Sequence, residues 1–171
     1  MRQHLNGFGA LFLQNPLKLK PVHMKKILFF AMTLLVSGAV FGQLNPVKWS
    51  YEAKMVADKE YDLVFTAHIQ PGWYVYSQYL ESNDGPVRTS FNFEENPNVE
   101  LIGKNAEDGH RYEGFDELFY MNIIKFSGEP TFTQRVKVNS PATLKGYLEF
   151  MTCDNEKCLP PKEVEFRFEL K

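Results

Sequence analysis

Short segments in which apolar and polar side chains alternate with a period of two residues constrain the fold of this chain most. The clearest segment is 164–170, where bulky apolar residues alternate with charged ones. A period of two is that of a β-strand with one buried face. Similar runs, rich in aromatic and β-branched residues, predict further strands at 49–55, 61–67, 73–76, 89–93, 99–102, 120–126, 132–138 and 144–151.

Turn-forming pairs such as Pro71-Gly72 separate these runs, and no window keeps the period of an α-helix. The pattern predicts an all-β fold, an immunoglobulin-like antiparallel β-sandwich, with a β-barrel as the main competitor. Two stretches lack the strand pattern, 103–118 and 153–162, and both are predicted to be loops. Functional residues are often found in such irregular segments.

Residues 24–42 have the pattern of a secretory signal peptide, with a basic start, an apolar centre and small residues around a cleavage position near Gly42/Gln43. The apolar centre is shorter than the roughly 20 residues that a transmembrane helix needs. We therefore expect export, with 43–171 as a single mature domain in the periplasm or outside the cell. We also expect translation to begin with this signal, so that 1–23 is a start-site extension.

The mature domain is acidic. All 21 acidic residues lie within 43–171, whereas five of the 19 basic residues precede it, so the domain carries a formal net charge of −7. Nucleic acids and anionic membrane surfaces attract basic patches, so we expect neither as a partner. No later apolar run approaches the length of a membrane span.

The chain has two cysteines, Cys153 and Cys158, with four residues between them. In an oxidising compartment they can form a disulfide. Closing so short a loop stabilises a fold by about 2 kcal/mol, against about 4.7 kcal/mol for a loop of about 100 residues, so stability explains the pair only weakly. The spacing leaves open a structural disulfide, a redox-active one, and a metal site that recruits His68 or His110. The acidic residues beside the pair disfavour thiolates, which suits a disulfide that another protein's thiolate attacks.

Several motifs, in this order along the chain, resemble one known family. They are PGWYVYS at 71–77, FNF at 91–93, YEG at 112–114, and Cys153 followed by CLPPK at 158–162. This set resembles the periplasmic N-terminal domain of the thiol:disulfide interchange protein DsbD. The resemblance covers nearly all of the mature domain, and the closing Cys…Cys-x-Pro-Pro motif is its most specific part.

The resemblance implies an immunoglobulin-like sandwich whose cysteine pair cycles between disulfide and dithiol, an activity of the protein-disulfide reductase or relay type. It implies that Cys153 and Cys158 are the redox pair, and that Cys158 forms the mixed disulfide with a partner. The implied partners are thioredoxin-like proteins as electron donors, with disulfide isomerases and cytochrome-maturation proteins as clients. No metal or organic cofactor is needed for this chemistry.

The resemblance also implies an aromatic cap loop that shields the pair. Tyr112 falls closest to the position of this cap, with Phe115 as the alternative, and Tyr74 and Tyr76 match aromatic positions near the family's site. The best-known members have one residue more between the cysteines. They also continue into a membrane domain and a thioredoxin-like domain, whereas this sequence ends at Lys171. We therefore expect an electron donor that acts in trans, the alternative being that the relay has been lost.

The alternative function is that of a secreted β-sandwich binding module, in which the disulfide is structural and exposed aromatic side chains bind the ligand. Immunoglobulin-like sandwiches have many functions, so the fold does not decide between the two. In either case we expect a monomer, because nothing in the sequence points to an obligate oligomer.

Overall fold

Nine β-strands and no helix make up the regular structure of residues 44–171, the part of the chain that the computed structural model describes. The predicted signal peptide and start-site extension lie outside these residues. The strands are β1 (Val47–Ala57), β2 (Glu60–Ile69), β3 (Tyr74–Tyr76), β4 (Ser90–Phe93), β5 (Val99–Asp116), β6 (Met121–Val138), β7 (Ala142–Phe150), β8 (Thr152–Cys153) and β9 (Lys162–Leu170).

The strands form two antiparallel sheets. The first sheet has the order β1-β2-β6-β3-β8, and β5 pairs with the other edge of β6. On the side away from β5, one half of β6 pairs with β2 and the other half pairs with β3. The second sheet has the order β4-β7-β9. The predicted all-β, immunoglobulin-like antiparallel sandwich is thus confirmed.

The core lies between the two sheets and consists of the alternating apolar residues of their strands. Phe65 of β2, Phe132 of β6 and Leu148 of β7 have no solvent-accessible surface. The ring centroid of Phe65 lies 4.9 Å from that of Phe166 on β9, so aromatic side chains of the two sheets are in contact. Burying a side chain of this size contributes about 1.5–3 kcal/mol. This burial is the reason why β2 and β9 show the period of two so clearly.

Strand β5 differs from two expectations. It runs through most of the stretch 103–118, which the sequence predicts as a loop. Its partner β6 is one continuous strand, whereas the sequence predicts two strands there. Most side chains of β5 are exposed, because β5 pairs only with β6 and little of it contacts the core. Backbone hydrogen bonds, rather than burial, hold this strand in place. A strand without a buried face has no period-two pattern in its sequence.

The region of the disulfide lies on the outer face of the first sheet. Val75 and Phe126, a cross-strand pair of β3 and β6, point into the core. Since neighbouring residues of a strand point to opposite faces, Tyr74 and Lys125 lie on the outer face. Between β7 and β9 the chain leaves the second sheet, and β8 pairs with β3 of the first. This crossing places Cys153 on the outer face beside Tyr74.

Gly146, at the centre of the second sheet, tests how tightly the sandwich is packed. A methyl group at this position would lie 2.1 Å from the carbonyl oxygen of Asn92 and 2.6 Å from the Phe166 ring. We expect Gly146→Ala to lower the free energy of unfolding by about 1–3 kcal/mol, as overpacking does in cores. Urea denaturation measures the change. The control is Lys145→Ala at the exposed neighbouring position, with an expected change within about 0.5 kcal/mol. Equal stability of Gly146→Ala and the wild type would contradict the packing described.

Candidate functional site

A disulfide joins Cys153, at the end of β8, to Cys158 five positions later, with 4.0 Å between their Cα atoms. Hydrogen bonds close the turn between them. The Asp154 carboxylate accepts the backbone N–H groups of Glu156 and Lys157 at 2.9 and 2.8 Å. These bonds hold the pKa of the Asp154 carboxyl below its usual value, so a negative charge stays next to the disulfide at neutral pH.

The two cysteines differ in exposure. Cys153 has no solvent-accessible surface, whereas Cys158 is partly exposed. Cys153 belongs to a small group of buried residues with Tyr76, Leu80 and Ile123, which we call the cysteine cluster, and Cys158 packs against it. In this conformation an external thiol therefore has access to Cys158 and not to Cys153.

Tyr74 and Tyr76 lie on β3 and have different surroundings. Tyr74 is the cross-strand partner of Cys153. Tyr76 is 1% exposed, and the ring of Phe119 stands edge-on to it with 5.8 Å between the centroids. Burial raises the pKa of the Tyr76 phenol far above its usual value, and the Asp116 carboxylate adds to this effect. Tyr76 therefore stays neutral and serves as a packing residue of the site.

Lys125 of β6 connects several parts of the site. Its Nζ lies 4.4 Å from the ring centroid of Tyr74 and 5.3 Å from that of Tyr112, as in cation–π contacts. The same Nζ forms an ion pair of 2.7 Å with Oδ2 of Asp116, at the end of β5. The side chains of Lys125 and Asp116 are only 12% and 8% exposed, so water screens this pair little.

Two segments cover the cysteine cluster. One is the hairpin tip, residues 117–120 between β5 and β6, from which Phe119 packs against the cluster. The other is the connection between β3 and β4, which contributes Leu80. This connection is bound to β5 by Glu107, whose carboxylate accepts hydrogen bonds from the Ser77 hydroxyl at 2.6 Å and from the Gln78 backbone N–H at 2.7 Å.

The structure places the two predicted cap residues beside the site and not within the cysteine cluster. Tyr112 is 46% exposed and, together with Tyr74 and Asn155 of the turn between the cysteines, lines a pocket of about 300 Å³. Phe115 is 55% exposed and its ring stands edge-on to that of Tyr120 at 6.3 Å, on the outside of the hairpin. The aromatic side chain that packs against the cluster from this hairpin is Phe119.

Three residues of the site are not predicted from the sequence: Phe119, Lys125 and Asp116. Phe119 gave a weak signal, as a bulky apolar residue just before a predicted strand in a sequence rich in acidic residues. The pairing of Lys125 with Asp116 gave none, because it depends on the hairpin register that brings Asp116 opposite Met121.

The two histidines considered as metal ligands, His68 and His110, have partners outside the disulfide. His68 contacts Oε1 of Glu129 and the hydroxyl of Ser50, both at 2.9 Å, and His110 contacts the hydroxyl of Ser127 at 2.7 Å. Within residues 44–171, no group of three or more His, Cys, Asp and Glu side chains is arranged to hold a metal ion. The same part of the chain contains no helix that is long and apolar enough to cross a membrane.

Several solved structures are similar to this chain. The N-terminal periplasmic domain of ScsB from Proteus mirabilis is 17% identical with a TM-score of 0.57; the match covers 77% of this chain and 49% of that one, and it shows a common fold. The DsbD N-terminal domain of Neisseria meningitidis in its reduced form is 19% identical with a TM-score of 0.47, covering 71% and 84% of the two chains. A third similar chain comes from the complex between the DsbD and PilB N-terminal domains from Neisseria meningitidis. It is 18% identical with a TM-score of 0.47, and the match covers 70% of this chain and 80% of that one. No curated protein sequence matches the chain.

The family is established by sequence. The family described as "Thiol:disulfide interchange protein DsbD, N-terminal" matches residues 43–170. The match includes all nine strands and both cysteines of the disulfide. The chain therefore belongs to the family of DsbD N-terminal domains.

Proposed function

We propose that this protein is a thiol–disulfide exchange module that relays electrons through Cys153 and Cys158 to or from thioredoxin-like partners. One observation carries the proposal: in a member of the DsbD N-terminal family, the cysteine pair forms a disulfide with one partly exposed and one buried residue. The rigid first sheet presents this bond to a partner on its outer face.

The exchange proceeds in two displacements. A partner's thiolate attacks Sγ of Cys158, the disulfide breaks, and its electron pair goes to Sγ of Cys153, which takes up a proton. The partner's second thiolate then attacks its own sulfur in the mixed disulfide and displaces Cys158. The partner leaves as a disulfide, and the dithiol of this protein holds the two electrons. The same steps in reverse reduce an oxidised client.

The surroundings of the pair favour a relay over a general oxidant. Asp154 carries a negative charge beside the disulfide, and Cys153 is buried. Both features disfavour a thiolate at Cys153 as the leaving group, which slows attack by free thiols. In the proposed cap, Phe119 covers the cysteine cluster and Tyr112 borders the pocket at its side. Tyr74 and Tyr76 shape the site from β3, and Phe115 supports the cap from outside.

The proposed setting is the periplasm or the cell exterior, after cleavage near Gly42/Gln43. The partners are thioredoxin-like proteins acting in trans, with disulfide isomerases or cytochrome-maturation proteins as clients. The proposed module is a monomer, and its chemistry uses no metal or organic cofactor.

The reduction potential of the Cys153–Cys158 pair tests this function. We expect a value between roughly −180 and −270 mV, the range of known exchange proteins. The measurement is equilibration with glutathione or dithiothreitol followed by thiol trapping, with circular dichroism to show that the reduced protein stays folded. A value below about −300 mV would mark a structural disulfide and favour the secreted binding module instead.

The difference in exposure predicts which cysteine reacts with a partner. In Cys153→Ser the remaining Cys158 is partly exposed, whereas in Cys158→Ser the remaining Cys153 is buried. We expect iodoacetamide to alkylate Cys158 at least about tenfold faster than Cys153, because reactivity depends on access and on the thiolate fraction. The control is alkylation of both variants in concentrated urea, where the rates should be similar. A faster reaction of Cys153 in the folded protein would reverse the assignment.

A further inference from the structure

The ion pair of Lys125 and Asp116 links the strand that carries Cys153 to the hairpin tip. Cys153 pairs with Tyr74, and the Lys125 ammonium lies over the Tyr74 ring at 4.4 Å. The same ammonium forms an ion pair of 2.7 Å with Asp116, the last residue of β5, after which the tip begins. A continuous series of contacts thus runs from Cys153 to the hairpin tip, which packs against the cysteine cluster.

Asp116 also fixes the conformation of the tip itself. Its Oδ1 accepts the backbone N–H of Leu118 at 3.0 Å, while its Oδ2 holds Lys125. Within this tip, Tyr120 adopts a φ of 52°, which is unfavourable for a residue with a side chain. Phe119, the residue just before it, stands edge-on to the buried ring of Tyr76. If the tip swings away from β6 together with Asp116, the ion pair with Lys125 breaks, whereas the bond to Leu118 moves with the tip.

We propose that Lys125 and Asp116 are positioning residues that hold the hairpin tip over the cysteine cluster and thereby set the rate at which the disulfide exchanges. This inference rests on the proposed function and names its control element. The pair acts through the tip, and neither residue reacts with the sulfur atoms.

Burial of the pair makes it suited to this role. Removing one partner leaves the other charge buried and unpaired, which destabilises the closed tip strongly. When the tip is open, the remaining charge is hydrated by water, so the loss of its partner costs little free energy. Loss of either partner therefore shifts the population towards the open tip. Both partners lie in the β5–β6 hairpin, so the shift leaves the core between the sheets intact.

The test is the second-order rate constant for reduction of the oxidised protein by dithiothreitol, which becomes a cyclic disulfide as the two protein thiols form. We expect Lys125→Met to raise this rate constant by about tenfold. Electrostatics alone predicts the opposite, because removing a positive charge near the site repels the attacking thiolate more. Lys125→Arg keeps the charge and the stacking on the tyrosine rings, and should react like the wild type. Asp116→Asn keeps an acceptor for Leu118 but loses the ion pair, and should also react faster.

The matched control is Arg135→Met, which removes an ion pair with Asp62 on the same outer face, between β6 and β2 and away from the tip. Its rate constant should not change. The reduction potential should stay the same in all variants, because the inference assigns the ion pair to the rate of exchange and not to its equilibrium.

Three outcomes would overturn the inference: unchanged rates in folded Lys125→Met and Asp116→Asn, a slower Lys125→Met, or an equal acceleration in Arg135→Met. A wild-type potential below about −300 mV would reject the proposed function instead. The rate comparison would then still report whether the ion pair holds the tip, so the two failures are distinguishable.

Discussion

Backbone pairing along β6 is the constraint on which both the core and the site depend. One set of alternate residues on this strand, including Phe126 and Phe132, points between the sheets, and the other set, including Ile123 and Lys125, points to the outer face. A shift of one residue in its register would exchange the two sets. The register that buries Phe126 and Phe132 therefore also places Lys125 on the outer face, at the site.

The strands that the sequence predicts most clearly are those in which burial imposes a pattern. Strands β2 and β9 alternate because one face of each lies in the core. Beyond residues 99–102, which the sequence predicts as a strand, β5 does not alternate because most of its side chains are exposed, so a prediction from side-chain pattern does not find the rest of it. The cysteine pair was found because its signal is local, five positions in one turn. The ion pair of Lys125 and the inward packing of Phe119 depend on strand register and on a turn conformation, which residue patterns do not encode.

β5 provides the anchors for both segments that cover the cysteine cluster. Glu107 binds the connection between β3 and β4, and Asp116 binds the hairpin tip. An exposed edge strand is usually a risk of unwanted pairing between molecules, and charged residues along it reduce that risk. Two of the charged residues on β5, Glu107 and Asp116, also bind the two segments that cover the cysteine cluster. A mostly exposed strand thus holds part of the site in place.

The short distance between the cysteines also makes closure of the disulfide independent of the fold around it. The disulfide needs only five positions of chain to close, whereas the contacts around it join β3, the β5–β6 hairpin and β8, which are far apart in sequence. Short loops close faster than distant strands pair. The two sulfur atoms can therefore meet in the unfolded chain, and closing the bond requires none of the strand pairing around it. What the sandwich adds is the burial of Cys153, so the difference in access between the two cysteines arises only on folding.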